Sequence, residues 1–221
     1  MINTRQVQFN DFYTADDWGL IMNKKEYTDP VPKTNYVSVP GRDGSIDLTE
    51  ALSDVVNYEN RQANFIFLLT NGTYQDRLDL LTEIIGNLHG QTVQIVDEDY
   101  LNYYMTGRLT VTDHMNNLAY GSITMSVNCD PWRYSTFTSS VNESVKTSDG
   151  TKQVVIANRG YKTLTPSIVV TGTVNLTYGT TTTALSAGTY TIPDFKLSPG
   201  VNTVSISGSG TIRFTYREAI L

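Results

Sequence analysis

One segment of this chain has the periodicity of an amphipathic helix, whereas nearly all the other patterned segments alternate as β-strands do. The apolar residues of the helical segment recur three and four positions apart, and they are Leu78, Leu80, Leu81, Ile84, Ile85 and Leu88. Thr73 and Asp76 have the spacing of a capping box, and Gly90 supplies a stop. We expect this helix to pack across a sheet of its own domain; a role of its apolar stripe in oligomerisation is the alternative.

The rest of the first 134 residues favours strands. β-branched and aromatic residues are plentiful, and with only 17% charged residues the chain is expected to fold. Strands are predicted over 7–10, 36–39, 45–48, 64–69, 91–96, 108–112 and 121–127. The dense apolar run 64–69 predicts a central strand buried on both faces. Residues 113–117 predict the turn of a hairpin between the last two strands.

Composition divides the chain into two domains and predicts a mostly β protein. Residues 1–134 read as an α+β domain, with the helix on a sheet and a long hairpin. Residues 135–150 are rich in Ser, Thr and Asn, which predicts a linker leading into the second domain. Residues 151–221 form six short strand patterns with turns between them and no helix, which is typical of a small β-sandwich.

Charge and cysteine content narrow the possible functions. Residues 1–138 contain 9 Lys and Arg against 18 Asp and Glu, whereas residues 139–221 contain 7 against 4. An acidic first part argues against binding nucleic acid through its phosphates, and the two parts are suited to different partners. The single cysteine, Cys129, excludes an intramolecular disulfide and is expected to be a buried, inert thiol. The polar N-terminus and the lack of a bilayer-length apolar run predict a soluble protein made in a reducing cytoplasm.

The sequence offers no set of residues that would support catalysis. His89 and His114 are both expected to be exposed, and no third group in the sequence orients either. Phosphate-binding glycine motifs, a nucleophile elbow and metal-ligand spacings are missing. The acidic run 97–99 is read as a solvated turn, although cation binding is the alternative. The carboxylates Asp16 with Asp17, or Asp43 with Asp47, are weak candidates for sugar hydrolysis. We therefore expect no enzyme activity, no metal and no cofactor.

Several motifs resemble one protein family in their order and spacing. Residues 39–44 read VPGRDG and are followed by IDLT at 46–49, YENR at 58–61, and CDPWRY at 129–134. Residues 197–204, LSPGVNTV, precede FTY at 214–216. This series resembles the distal tail (Dit) proteins of siphophages over nearly the whole chain. The motif residues that are also candidates for subunit interfaces are Pro40, Gly41, Arg42, Asp43, Gly44, Arg61, Pro131, Trp132 and Tyr134.

The resemblance implies a structural role at the tail tip of a virion made in a bacterial host. Distal tail proteins form a homohexameric ring, in which the N-terminal domains surround a channel through which DNA passes without specific binding. Their galectin-like C-terminal domains point outward. The implied partners are further copies of the chain, the tail tube protein, the tail-associated fibre or lysin and receptor-binding proteins. The second domain lacks the His-x-Asn-x-Arg sugar pattern of true galectins, so we expect a scaffold rather than a lectin.

Other functions remain open at this point. Fourteen tyrosines and two tryptophans are compatible with a carbohydrate-binding module of a phage tail, although most aromatics of β proteins belong to the core. The major tail tube protein is also β-rich and ring-forming. A tail-tip hydrolase is a third alternative, for which no catalytic set is visible.

Overall fold

The computed structural model describes residues 5–51 and 53–221, so the first four residues of the polar N-terminus lie outside the described part. The chain divides into two compact units, one reaching Arg133 and the other spanning Tyr134–Ile220. Strands dominate both units, which confirms the prediction of a mostly β fold. The only α-helix among the described residues is α1 (Tyr74–Leu88), and no helix there has the length and apolar character needed to span a bilayer.

The first unit is built on one antiparallel sheet. Its strands are β1 (Val7–Phe9), β2 (Phe12–Tyr13), β3 (Ile21–Tyr27), β6 (Arg61–Leu69), β7 (Thr92–Asp97), β8 (Tyr103–Asn116) and β9 (Gly121–Cys129). Hydrogen bonding gives the order β2-β1-β7-β8-β9-β6-β3. A separate two-stranded ribbon, β4 (Tyr36–Ser38) with β5 (Ser45–Asp47), lies between β3 and β6 in the sequence. A 3-10 turn, Glu98–Tyr100, follows β7.

The helix α1 begins as its sequence predicts. The Thr73 hydroxyl accepts from the Asp76 backbone N–H at 3.2 Å, and the Asp76 carboxylate accepts from the Thr73 N–H at 2.8 Å. The face that packs on the core differs from the predicted stripe, because Leu78 is 38% exposed. The buried positions are Arg77, Leu81, Ile84 and Leu88, which recur at four, three and four residues. The other predicted apolar residues do pack on the core, Leu80 and Ile85 with partial burial, so the predicted stripe was wrong only at Leu78.

Two strand predictions change in detail. β6 buries Phe65 and Phe67 on one face while Ile66 and Leu68 on the other are half-buried, so burial on both faces was wrong. The reason is that one face alone packs against the main core. The β8–β9 hairpin is confirmed, but β8 continues to Asn116 through a register shift after Val111, and the turn lies at 117–120.

The second unit is also antiparallel. Its strands are β10 (Arg133–Ser135), which begins on the last residue of the first unit, β11 (Ser139–Val145), β12 (Lys152–Asn158), β13 (Ser167–Tyr178), β14 (Thr181–Leu185), β15 (Gly188–Thr191), β16 (Gly200–Tyr216) and β17 (Ala219–Ile220). The long strands β13 and β16 pair along their length. The first half of β16 also pairs with β12 and its second half with β11. Likewise the first half of β13 pairs with β15 and the second half with β14. The short strand β10 pairs with β17.

Three glycines allow the two long strands to bend. A Cβ on Gly172, Gly208 or Gly210 would overlap backbone of the opposite strand, and Gly172 and Gly208 have positive φ. The residues on either side of these glycines point into one shared core, with Ile168 and Val174 on β13 and Ile206 and Phe214 on β16. The second unit is therefore a sandwich made by bending one hydrogen-bonded sheet over its own core.

Residues 135–150, predicted as a linker, contain the edge strand β11 and a 3-10 turn, Thr147–Asp149. In this strand Val145 is buried and Val141 packs against the core, whereas Phe137, the one large apolar residue noted in the sequence, is exposed. Alternating small and β-branched residues were sufficient to make a half-buried edge strand.

Candidate assembly surfaces

The arm, defined as residues 28–60, leaves the first unit between β3 and β6. None of its described residues, 28–51 and 53–60, is buried or belongs to the core. Its base is closed by backbone hydrogen bonds between Glu59 and Val31 at 2.8 Å and between Lys33 and Asn57 at 2.8 Å. The large apolar side chains that it exposes are Val31, Tyr36, Val37, Val39, Leu48 and Val55. An ordered segment with this many uncovered apolar groups is typical of a surface that another protein covers.

The predicted interface residues 40–44 form the turn between β4 and β5. The Arg42 N–H donates to the Val39 carbonyl at 3.2 Å, and Gly41 and Gly44 have φ of 81° and 74°. Arg42 and Asp43 are exposed, and neither side chain makes an ion pair or hydrogen bond within the described part of the chain. Their charges therefore do not brace the turn, and they remain available to a neighbouring surface.

The base of the arm meets the end of the first unit. The ring of Tyr58 lies edge-on to that of Trp132, with 5.6 Å between centroids and 85° between planes. β9 ends at Cys129, and Asp130 and Pro131 come next in the chain. The N–H of Asp130 donates to the Thr106 carbonyl at 2.8 Å. Two of the sequence motifs, 58–61 and 129–134, are thus brought together, whereas the 40–44 turn makes no contact with either that the structure records.

The same corner holds two guanidinium groups and a charged network. Arg61 and Arg133 are both buried, and Cζ of Arg133 lies 4.4 Å from the ring centroid of Tyr100. Beside them Nζ of Lys25 contacts carboxylate oxygens of Asp97 at 2.7 Å and Asp99 at 2.6 Å. Burial lowers the pKa of Lys25, but the hydrogen bonds and charges of the two aspartates outweigh that effect, and the net shift is upward.

The remaining predicted residue, Tyr134, belongs to the second unit. Its hydroxyl accepts from Nζ of Lys162 at 2.8 Å, and that ammonium lies 4.8 Å from the ring centroid. Both the hydroxyl and the aromatic ring of Tyr134 therefore interact with this ammonium group. The contact fixes the first residues of the second unit.

Sequence reasoning did not identify the tip of the β8–β9 hairpin as a candidate surface. Leu118 is 92% exposed there, and Met115 and Tyr120 are exposed beside it. The tip is held by Arg77 of α1, which donates to the Asn117 carbonyl at 2.7 Å and to Asn116 Oδ1 at 3.2 Å. The predicted turn, 113–117, ended before Leu118 and Tyr120, and apolar residues near a turn have no periodicity to reveal them.

The histidines lie where no partner group completes an acid–base pair in the described residues. His89 ends α1, and its Nδ1 accepts from the Val111 N–H at 3.1 Å. His114 lies on β8 rather than in the predicted turn, and both side chains are exposed. Cys129 is buried, and desolvation raises the pKa of its thiol to about 12. Asp97 of the acidic run is bonded to Lys25 and to the Tyr27 hydroxyl.

Comparison with known proteins gives one informative likeness. No protein-family model matches the sequence, and no curated protein matches it. Among solved structures the chain is similar to the Dit protein (gp 19.1) of phage SPP1, described as a paradigm of the hub adsorption apparatus in phages that infect Gram-positive bacteria. The TM-score is 0.69 at 16% identity, and the match covers 96% of this chain and 98% of that one. The chain thus has the fold of that hub protein through both units.

Proposed function

We propose that this chain is the distal tail hub of a bacteriophage or prophage, a structural virion protein at the tail tip. One observation carries the proposal: the likeness to a solved tail hub covers 96% of this chain, and so reaches both of its units, and 98% of that chain. An isolated domain likeness would say little about function, because many functions share one fold. A likeness that extends over 96% of the chain is a narrower constraint.

In this proposal the first unit makes a homohexameric ring around a channel for DNA, as expected of a siphophage distal tail protein. In a head-to-tail ring, each copy binds its two neighbours through two different surfaces. The ring closes when the rotations that relate successive copies add up to one full turn. The arm supports this role, because its apolar side chains are exposed in one copy and would be covered in a ring. The proposed contact residues are Pro40, Gly41, Arg42, Asp43, Gly44, Arg61, Pro131, Trp132 and Tyr134.

The proposed partners are the tail tube protein on one face of the ring and the tail fibre or lysin on the other. The second unit is proposed as a galectin-like scaffold that holds receptor-binding or baseplate proteins. Excess carboxylates in the first 138 residues, 18 against 9 basic groups, would repel DNA in the channel and let it slide. This role needs no reactive group, so the proposal assigns no enzyme activity to the chain.

Negative-stain electron microscopy of the purified full chain, alone and mixed with tube and fibre subunits, tests the proposal. Sixfold rings that stop at one or two layers are expected. Long tubes would instead indicate a major tail tube protein. Particles that stay monomeric in every mixture would contradict the hub role. Titration with cell-wall glycans separates the carbohydrate-binding alternative, since the hub role predicts no specific binding.

A further inference from the structure

The Arg61 guanidinium is buried, and no described residue accepts a hydrogen bond from it. The side chain is 1% exposed, and Nε, Nη1 and Nη2 all lack an acceptor among the described residues. Arg77 provides the comparison within the same unit, because it is 3% exposed and yet all its nitrogens donate. Buried guanidinium nitrogens ordinarily donate hydrogen bonds, since burying such a donor without an acceptor costs free energy of folding. Arg61 is the exception that requires a physical explanation.

A second guanidinium lies beside it. Arg133 is 8% exposed, and its Nε also lacks an acceptor in residues 5–51 and 53–221. It lies against the rings of Tyr100 and Tyr27, with Cζ 4.4 Å and 5.6 Å from the two centroids. Burial, and then the positive charge of Arg133, lower the pKa of Arg61. Aromatic faces offset part of the charge of one guanidinium, but they leave the pair without a counter-ion.

The carboxylates nearby are bonded elsewhere. Both oxygens of Asp97 are taken, one by Lys25 and the other by the Tyr27 hydroxyl. Asp99 is also paired with Lys25. Asp29, which acts electrostatically on Arg61, is exposed and forms no ion pair with it within 4.0 Å. The corner therefore holds an excess of buried positive charge.

We infer that Arg61 and Arg133 form a binding site for an oxyanion, a carboxylate or a phosphate group. The unbonded donors are suited to this ligand, because the nitrogens of Arg61 can match two oxygens in a pair and Arg133 adds its Nε. The ring of Tyr100 lies over the Arg133 guanidinium and is itself exposed, so we place the entry of the anion past this ring. The anion is either free in solution or an acidic side chain of a second copy of the chain.

Thermal unfolding of the full chain in inorganic phosphate and in chloride of equal ionic strength tests for the site. At about ten times its dissociation constant, phosphate should raise the Tm of the wild type by about 3–6 °C. The Arg61→Met variant should lose this response. In chloride its Tm should equal or exceed that of the wild type, because the substitution replaces a buried charge that lacks hydrogen bonds with an apolar side chain. Arg133→Met should also lose the response. If R61M does not fold, R133M makes the same comparison.

Two matched variants serve as controls. Arg77→Met removes an equally buried guanidinium whose bonds are complete, so its Tm should fall while its phosphate response persists. Arg213→Met removes an exposed arginine of β16 that belongs to no proposed contact, and it should change neither quantity. An R61M protein that is destabilised like R77M and still responds to phosphate would overturn the inference.

A second measurement, of ring assembly, identifies the source of the anion. Only this measurement rests on the proposed function. If a carboxylate of another copy fills the site, R61M should fail to assemble where the wild type forms rings, and phosphate should dissociate the wild-type rings. If the ion is free, assembly is unchanged and only the thermal response differs. Wild-type protein that neither responds to phosphate nor depends on Arg61 for assembly would contradict the site, and the hub proposal would still stand.

Discussion

Arg77 on α1 donates a 2.7 Å hydrogen bond to the backbone carbonyl of Asn117, in the turn of the β8–β9 hairpin. The same guanidinium donates to the Gly72 carbonyl at 2.7 Å, just before the helix. One buried side chain thus ties the start of the helix to a hairpin tip that lies about 40 residues further along the chain. Carbonyl oxygens satisfy the donors of Arg77, and no carboxylate of the described residues forms an ion pair with it.

Arg77→Met should therefore destabilise the first unit strongly. The loss is expected to be about 2–4 kcal/mol, because charge-assisted bonds disappear and buried carbonyls lose their donor. Urea denaturation followed by circular dichroism measures it, with Arg213→Met as the exposed control. A loss below about 0.5 kcal/mol would show that water replaces the guanidinium without cost.

The bend of the second unit makes a contrasting pair of glycine predictions. Gly210→Ala should cost about 2 kcal/mol or more, since its Cβ would overlap the Thr171 carbonyl oxygen. Gly86→Ala has open space in a helix and should add about 0.5–1 kcal/mol. The same chemical change is thus expected to have opposite signs at the two positions. Equal stabilities of the two variants would argue against the bend.

The cap of α1 should make stability depend on acid pH. Hydrogen bonds from the Thr73 backbone and hydroxyl lower the pKa of Asp76 below its ordinary value of 3.8. A folded-state pKa below the unfolded value stabilises the fold above about pH 3.8, and this contribution is lost as the pH falls through the folded pKa. The difference in unfolding free energy between wild type and Asp76→Ala should be constant near neutral pH and narrow below pH 3.8. A difference that widens in acid would refute this sign.

Cys129 should be inert in the folded protein. Burial raises the pKa of its thiol to about 12, so almost no thiolate exists at neutral pH, and the sulfur is inaccessible. A thiol reagent at neutral pH should label unfolded protein fully and folded protein hardly at all. Ser38→Cys on the exposed arm is the positive control. Rapid labelling of native wild type would mean that β9 opens easily.

Local signals allowed much of the fold to be predicted. The cap at Thr73 depends on residues three positions apart, and the β8–β9 hairpin shows in alternation along each strand. The bend of β13 and β16 could not be predicted, because it depends on the pairing of Gly172 with Gly210, which are far apart in the sequence. The burial of Arg61 was also missed, since charged residues at the start of a strand ordinarily face water.

The candidate surfaces were predicted only in part. Family-like motifs directed attention to the 40–44 turn and to Trp132, and the structure places the first on an exposed arm and the second beside Tyr58. No pattern in the sequence shows that the described residues of the arm, 28–51 and 53–60, lie outside the core. That fact depends on where the ribbon of β4 and β5 lies, which is a property of the whole unit.

The central claim is that the exposed arm joins copies of this chain into a closed ring. Sedimentation velocity of the wild type, with tube and fibre subunits added where needed, is compared with that of Val37→Ser/Val39→Ser, which changes two exposed apolar residues of the arm. The account predicts hexamers for the wild type and a folded monomer for the variant, with the Tm that dilute, dissociated wild type has. A wild type that remains monomeric in every mixture, or a variant that assembles equally well, would contradict it.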